Sequence, residues 1–108
     1  MYVYLIGCEN SDKYKIGISK NPAKRLTELQ TANGDSLELI NVFNTRHGFA
    51  CERAVQGNYA SNKTIGEWFQ LDDTAVSKFS EVCAKVEANF DVLLENTYLQ
   101  DKGKKWGY

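Results

Sequence analysis

Hydrophobic and polar positions alternate in two short runs at the start of the chain. Tyr2 to Gly7 alternates aromatic and aliphatic residues, and Lys13 to Ser19 (Lys-Tyr-Lys-Ile-Gly-Ile-Ser) alternates again. A period of two marks a strand, and the short polar gap from Cys8 to Asp12 joins the two runs as a hairpin. Val3 and Leu5 then share an apolar face with Tyr14, Ile16 and Ile18, and that face should meet the core. The opposite face carries Tyr2, Tyr4 and Ile6 beside Lys13, Lys15, Gly17 and Ser19. Tyr4 and Lys15 are expected to be cross-strand neighbours. A buried tyrosine beside a lysine makes this second face the place to look for chemistry.

The period then changes. Asn21-Pro22 predicts a helix start, with Asn as cap and Pro at the first helical position. Ala23, Leu26 and Leu29 form its buried stripe, Arg25 lies on the flank, and Gly34 is expected to end it. Ser36 to Asn44 predicts a third strand. Thr45 is expected to cap a second helix running to about Ser61, with Cys51, Ala54, Val55 and Tyr59 inward and Glu52 beside them. Residues 62–66 form a loop, Glu67 to Leu71 a strand-like segment, and Asp72-Asp73-Thr74 starts a long helix. Its stripe is Val76, Phe79, Cys83, Val86, Phe90 and Leu93. About 24 residues at about 1.5 Å each give a helix of about 36 Å, more than a core this small needs. The far end of that helix is therefore a candidate for self-association. The pattern predicts an α/β (α+β) fold: a small antiparallel sheet of three to four strands, flanked by helices, with a long C-terminal helix. A single domain spans 1–100, and 101–108 read as a flexible Lys-rich tail.

The chain has 108 residues, 43% of them hydrophobic and 25% charged. These values fit one ordinary globular domain, in which about two-thirds of the unfolded surface is buried. No apolar run is long enough for a membrane span, and the short apolar N-terminus lacks the basic lead-in and cleavage site of a signal peptide. Cys8, Cys51 and Cys83 are three, far apart and without a C-x-x-C, so free thiols in a reducing cytoplasm are expected (the host's, if the chain is phage-encoded). The net charge is -1. Residues 1–71 hold eight Lys/Arg against seven Asp/Glu, and residues 72–100 hold two Lys against six Asp/Glu. The strongly basic footprint of a tight nucleic-acid binder is missing.

Five short motifs in a fixed order carry a resemblance. Tyr2-Val3-Tyr4, Lys15-Ile16-Gly17, Asn21-Pro22 with Arg25-Leu26, Glu52 in a later helix, and Gly66-Glu67-Trp68-Phe69 together resemble the opening of GIY-YIG nucleases. They are most similar to the branch represented by the phage T5 open-reading-frame 172 domain. The match covers roughly residues 2–71. The resemblance implies a GIY-YIG-like fold and a metal-dependent DNA endonuclease using Mg²⁺ or Mn²⁺. Tyr4 and Lys15 take the places of the two motif tyrosines, Gly17 that of the motif glycine, Arg25 that of the catalytic arginine, and Glu52 that of the metal-binding glutamate. Tyr2, Gly17, Ser19 and Gln56 are the expected substrate contacts. Three positions depart from the family pattern: Tyr-Val-Tyr replaces Gly-Ile-Tyr, Gln56 stands where this branch often has His, and Leu29 where many relatives have His. The last two remove proton carriers or ligands.

These residue types suit phosphodiester hydrolysis. One Mg²⁺ on Glu52 would offset charge on phosphate and leaving group. Arg25 would clamp a nonbridging oxygen, and such a donor is worth about 3–4 kcal/mol in the transition state. Tyr4 would hold the attacking water or take its proton, if Lys15, Arg25 and the metal lower its pKa from about 10. Gly17 would let a DNA backbone approach the sheet. Two other readings stay open: a decayed nuclease scaffold that binds nucleic acid or protein, and a small adaptor that forms a homodimer through its acidic C-terminal helix.

Overall fold

The computed structural model describes the backbone of residues 1–106 and the side chains of residues 1–95. Four antiparallel strands form one sheet in the order β3-β1-β2-β4: β1 (Tyr2–Cys8), β2 (Lys13–Ser19), β3 (Leu37–Asn44) and β4 (Trp68–Gln70). The helices are α1 (Pro22–Ala32), α2 (Phe49–Asn58), α3 (Asp73–Ser77) and α4 (Phe79–Trp106). The expected α+β architecture is therefore present, with four strands and a long last helix. The tail expected at 101–108 falls on residues whose side chains, and for 107 and 108 the backbone as well, lie outside the described residues.

The hairpin keeps the face assignment read from the pattern. Val3 pairs with Ile18, Leu5 with Ile16 and Gly7 with Tyr14. Val3, Leu5 and Ile16 are fully buried against Cys51, Val55 and Tyr59 of the α2 region and Phe79, Cys83 and Val86 of α4. On the other face Tyr4, Ile6 and Leu37 form a smaller cluster, closed by Leu26 and Leu29 of α1 with Leu39 and Trp68. The sheet is thus covered on both sides, thickly by α2 and α4 and thinly by α1. Leu29 packs in this thin layer. The register needs one correction: Tyr4 pairs with Gly17, and Lys15 pairs with Ile6. Tyr4 and Lys15 share a face as diagonal neighbours rather than a direct pair.

Helix ends depart from the expected points for local reasons. α1 starts at Asn21 as expected, with the Lys24 N–H donating to Asn21 Oδ1 at 3.2 Å. It stops at Ala32, before Gly34, because the Gln30 amide ties down the following loop, donating to the Asp35 carbonyl at 2.8 Å and accepting from the Leu37 N–H at 2.7 Å. Thr45 does not cap α2. Its side chain is buried and donates to Glu87 of α4 at 2.6 Å, while Arg46 and His47 are drawn to Asp91. The helix begins three residues later at Gly48, whose φ of +56° suits a glycine. The helix expected from Asp72 onward breaks at Lys78, where Ser77 Oγ donates to the Thr74 carbonyl and α4 restarts at the fully buried Phe79. No Gly or Pro marks that break. α4 contributes Phe79, Cys83 and Val86 to the core, while Val92, Leu93 and Leu94 further along are more than half exposed.

Candidate active site

β4 pairs with Lys13 to Lys15, and the Ile16 N–H still reaches the Glu67 carbonyl just before β4 at 3.4 Å, so the rest of β2, from Gly17 to Ser19, lies beyond its reach. Around this uncovered stretch the fold gathers five ionisable side chains. Tyr4 comes first, only 2% exposed, with its phenol lying across Gly17. A Cβ on Gly17 would run into the Tyr4 hydroxyl and ring. The missing side chain at Gly17 therefore makes room for Tyr4, where a gap for an approaching DNA backbone was expected.

Arg25 stands on α1, whose first turn is fixed by the Asn21 cap. It reaches the neighbourhood of the Tyr4 hydroxyl, near enough for each to shift the other's titration, and its Nη1 lies 3.4 Å from Glu28 Oε2. Burial pushes the Tyr4 hydroxyl above its ordinary pKa. The Arg25 guanidinium pulls it back, and the Glu67 and Glu52 carboxylates push it up again. The net direction is upward, so Tyr4 is a neutral phenol at ordinary pH. Arg25 favours the phenolate, as expected, but among the protein's own groups burial outweighs it. Tyr4 in turn raises the Arg25 pKa.

Lys15 is buried. Its Nζ makes an ion pair with Glu67 Oε2 at 2.8 Å and sits 5.7 Å from the centre of the Trp68 ring. Because Lys15 and Trp68 are a cross-strand pair, β4 itself delivers this partner. Glu67 is the site residue that sequence reasoning missed. It was noted only as part of a motif, and the clue to its role was the alternation that pairs Lys15 with the segment after Gly66.

Glu52 occupies the first turn of α2 and is 9% exposed. Burial first, then the charge of Glu67, raises its pKa, while Arg53 and Lys15 lower it. Among the described residues no buried side-chain oxygen is left without a partner, so the Glu52 oxygens, which make no hydrogen bond, keep some contact with solvent. Two carboxylates, Glu52 and Glu67, therefore feel each other beside one ammonium group. Among the described residues no group of three His, Cys, Asp or Glu side chains is placed to hold a metal ion.

The expected substrate contacts divide. Gln56 is turned inward and donates from Nε2 to the Ile16 carbonyl at 2.8 Å. This satisfies a strand carbonyl that β4 is too short to reach, and it ties α2 to β2 one turn after Glu52. Its amide nitrogen is thus a structural strut. Ser19 Oγ accepts the Asn21 N–H at 3.0 Å and shapes the entry to α1. Tyr2 is half-buried, paired with Ser19 and in line with Tyr4. A concavity of about 730 Å³ is lined by residues such as Asp12, Tyr14, Asn62 and Asp72 and includes none of Tyr4, Lys15, Arg25 or Glu52.

Three cysteines are free, and the thiols of buried Cys51 and Cys83 are pushed up by burial, Cys83 to about 12. No helix among the described residues is long and apolar enough to cross a membrane. The family model of the T5orf172 domain matches residues 1–87, which takes in every strand and the residues gathered around β2. No curated protein and no solved structure matches the chain.

Proposed function

The chain belongs to the T5orf172 domain family, and from that premise we propose that it is a GIY-YIG-type endonuclease that hydrolyses DNA phosphodiester bonds with a divalent cation. One observation supports this above the others: a neutral tyrosine, an arginine, a lysine and an open glutamate come from four separate elements to one stretch of β2. Glu52 suits a hard cation, because its carboxylate is open, lacks a hydrogen bond of its own and is burdened by Glu67. With so few carboxylates, Mg²⁺ or Mn²⁺ would keep water and phosphate oxygens as its other ligands, which is the habit of Mg²⁺. When bound, the cation supplies Lewis-acid stabilisation of the phosphate and leaving group.

The remaining work falls to the side chains. Arg25 donates to a nonbridging phosphate oxygen and at the same time fixes the Tyr4 hydroxyl. Tyr4, neutral and 2% exposed, holds the attacking water by accepting its hydrogen bond. Lys15, steered by Glu67, places a positive charge where the phosphate gains negative charge. A supercoiled plasmid tests the proposal. The protein should nick or cut it with Mg²⁺, and chelation or Glu52→Ala should abolish the cleavage. Cleavage that is indifferent to both would refute it.

A second reading is favoured by the raised Tyr4 pKa and by the inward Gln56: a decayed scaffold that binds nucleic acid without cutting it. That reading requires binding that survives both chelation and Glu52→Ala, with an intact plasmid. The partner for the exposed Val92, Leu93 and Leu94 on α4 would be a second copy of the chain, giving a homodimer that Leu94→Glu should dissociate in sedimentation.

A further inference from the structure

Next to the ion pair of Lys15 and Glu67 lies a separate groove of about 380 Å³, lined by Trp68 and Ile65 together with Cys8, Lys13, Asn33 and Asp35. Its size falls in the lower part of the roughly 300–1,000 Å³ range of ligand pockets. Ile65 is 83% exposed. An isoleucine so bare usually sits on a loose loop, but here the turn behind it is closed. Thr64 N–H donates to the Trp68 carbonyl at 2.9 Å, Trp68 N–H donates to the Ile65 carbonyl at 3.1 Å, and Gly66 takes a φ of +61° between them. The turn holds an apolar side chain out over the groove opposite the Trp68 ring.

The charges around the groove are sorted. Lys13 and Lys15 alternate on one face of β2, about 6.8 Å apart at the rise of a strand, a spacing comparable with one nucleotide step of an extended single strand. Trp68 stands beside both, since Lys15 is its pairing partner and Lys13 pairs with Gln70 two residues on. On the far side of the groove stand the Asp35 carboxylate, which repels phosphate and accepts hydrogen bonds, and the Asn33 amide, which donates and accepts them. Lysines along β2 (Lys13 in the groove's lining, Lys15 beside it and paired with Glu67), a flat aromatic wall, and the amide and carboxylate groups of Asn33 and Asp35 match the three parts of a nucleotide: phosphate, ring face and ring edge.

We infer that this groove is a nucleobase subsite, in which one unstacked base of the substrate strand lies between Trp68 and Ile65 while its flanking phosphates rest on Lys13 and Lys15. The base edge turns toward Asp35, so bases with an exocyclic amino group are favoured over thymine. The inference deepens the endonuclease reading and rests on it for the nature of the ligand. It names an unpaired or frayed strand as the substrate form. It also explains how a chain of near-neutral charge selects a nucleic acid: the stack contributes where long-range attraction is weak.

The test uses binding alone. The full chain contains two tryptophans, so a Trp106→Phe background leaves Trp68 as the sole indole reporter. Short single-stranded oligonucleotides are titrated in the presence of EDTA. Oligo-dC and oligo-dA should quench Trp68 saturably, and an abasic chain of equal length should bind on the order of tenfold more weakly, the scale of one base–aromatic stack. Ile65→Ser should lower the affinity for the base-containing strand to that of the abasic one without loss of fold, because Ile65 is 83% exposed. Asp35→Asn should remove the preference for dC over dT. The absence of saturable quenching, or equal binding of abasic and base-containing strands, overturns the subsite even if the plasmid is cut. Base-dependent binding with no plasmid cleavage upholds the subsite and refutes hydrolysis.

Discussion

Gly17→Ala isolates the contact on which the site is built. Glycine inside a strand is ordinarily a weakness, and alanine should be favoured by about 0.5–1 kcal/mol on backbone entropy alone. Gly17 has no positive φ to protect, since Gly48 and Gly66 are the glycines with positive φ among the described residues. The objection to alanine is steric: its Cβ would overlap the Tyr4 hydroxyl and ring, and Cε1 would stand only 3.0 Å away. Tyr4 cannot easily yield, because Ile6, Leu26 and Leu29 pack around it in the same cluster. Overpacking of this kind costs about 1–3 kcal/mol, which exceeds the entropic gain. A net loss of about 1–2 kcal/mol in urea unfolding is the expected result. In a Tyr4→Ala background the obstacle is gone, so the same substitution should be neutral or stabilising. Cleavage offers a second measurement. A phenol displaced by about 1 Å should lower the rate on the order of 10²-fold. An equal cost of Gly17→Ala in both backgrounds would refute the reasoning, because it would place the penalty somewhere other than Tyr4.

The other outcomes follow from single interactions. Glu52 has its pKa raised in the fold by burial and by Glu67, so its charge opposes folding above the ordinary carboxylate range. Glu52→Gln should therefore melt higher than the parent at neutral pH, the gap closing as pH falls and Glu52 takes up its proton, while Mg²⁺ should stabilise the parent alone; a thermal melt series at several pH values checks both. Asp91 shows the opposite sign: the His47 hydrogen bond leads in lowering its pKa. The advantage of the parent over Asp91→Asn should be present at neutral pH and disappear as pH falls through the depressed value, read by the same melts. Gln56→Ala strands the Ile16 carbonyl and should cost about 1–2 kcal/mol in denaturant unfolding, with weaker Mg²⁺ binding by calorimetry because α2 loses its tie to β2.

What the sequence discloses depends on how local each cause is. The hairpin and its faces were legible because alternation is a property of neighbours, and Tyr2 to Ser19 alternate cleanly. The cap at Asn21 was legible for the same reason. The break at Lys78 was hidden, since the stripe from Val76 to Phe90 keeps helical spacing through it and the cause lies in the burial of Phe79. Thr45 looked like a cap because its type suits one, but Glu87, 42 residues away, claims its hydroxyl first. The site shows the same division. Tyr4, Lys15, Arg25 and Glu52 could be named singly, yet their roles depend on partners in other elements. Glu67 joins Lys15 across 52 residues, and Gln56 reaches Ile16 across 40. Both contacts trace to one fact that no local pattern encodes, the three-residue length of β4. A longer β4 would extend the single Ile16–Glu67 bond into a ladder, free Gln56 from the Ile16 carbonyl and cover the stretch of β2 beside Glu52. The shortness of that edge strand therefore keeps the site open, and extending its pairing should close it.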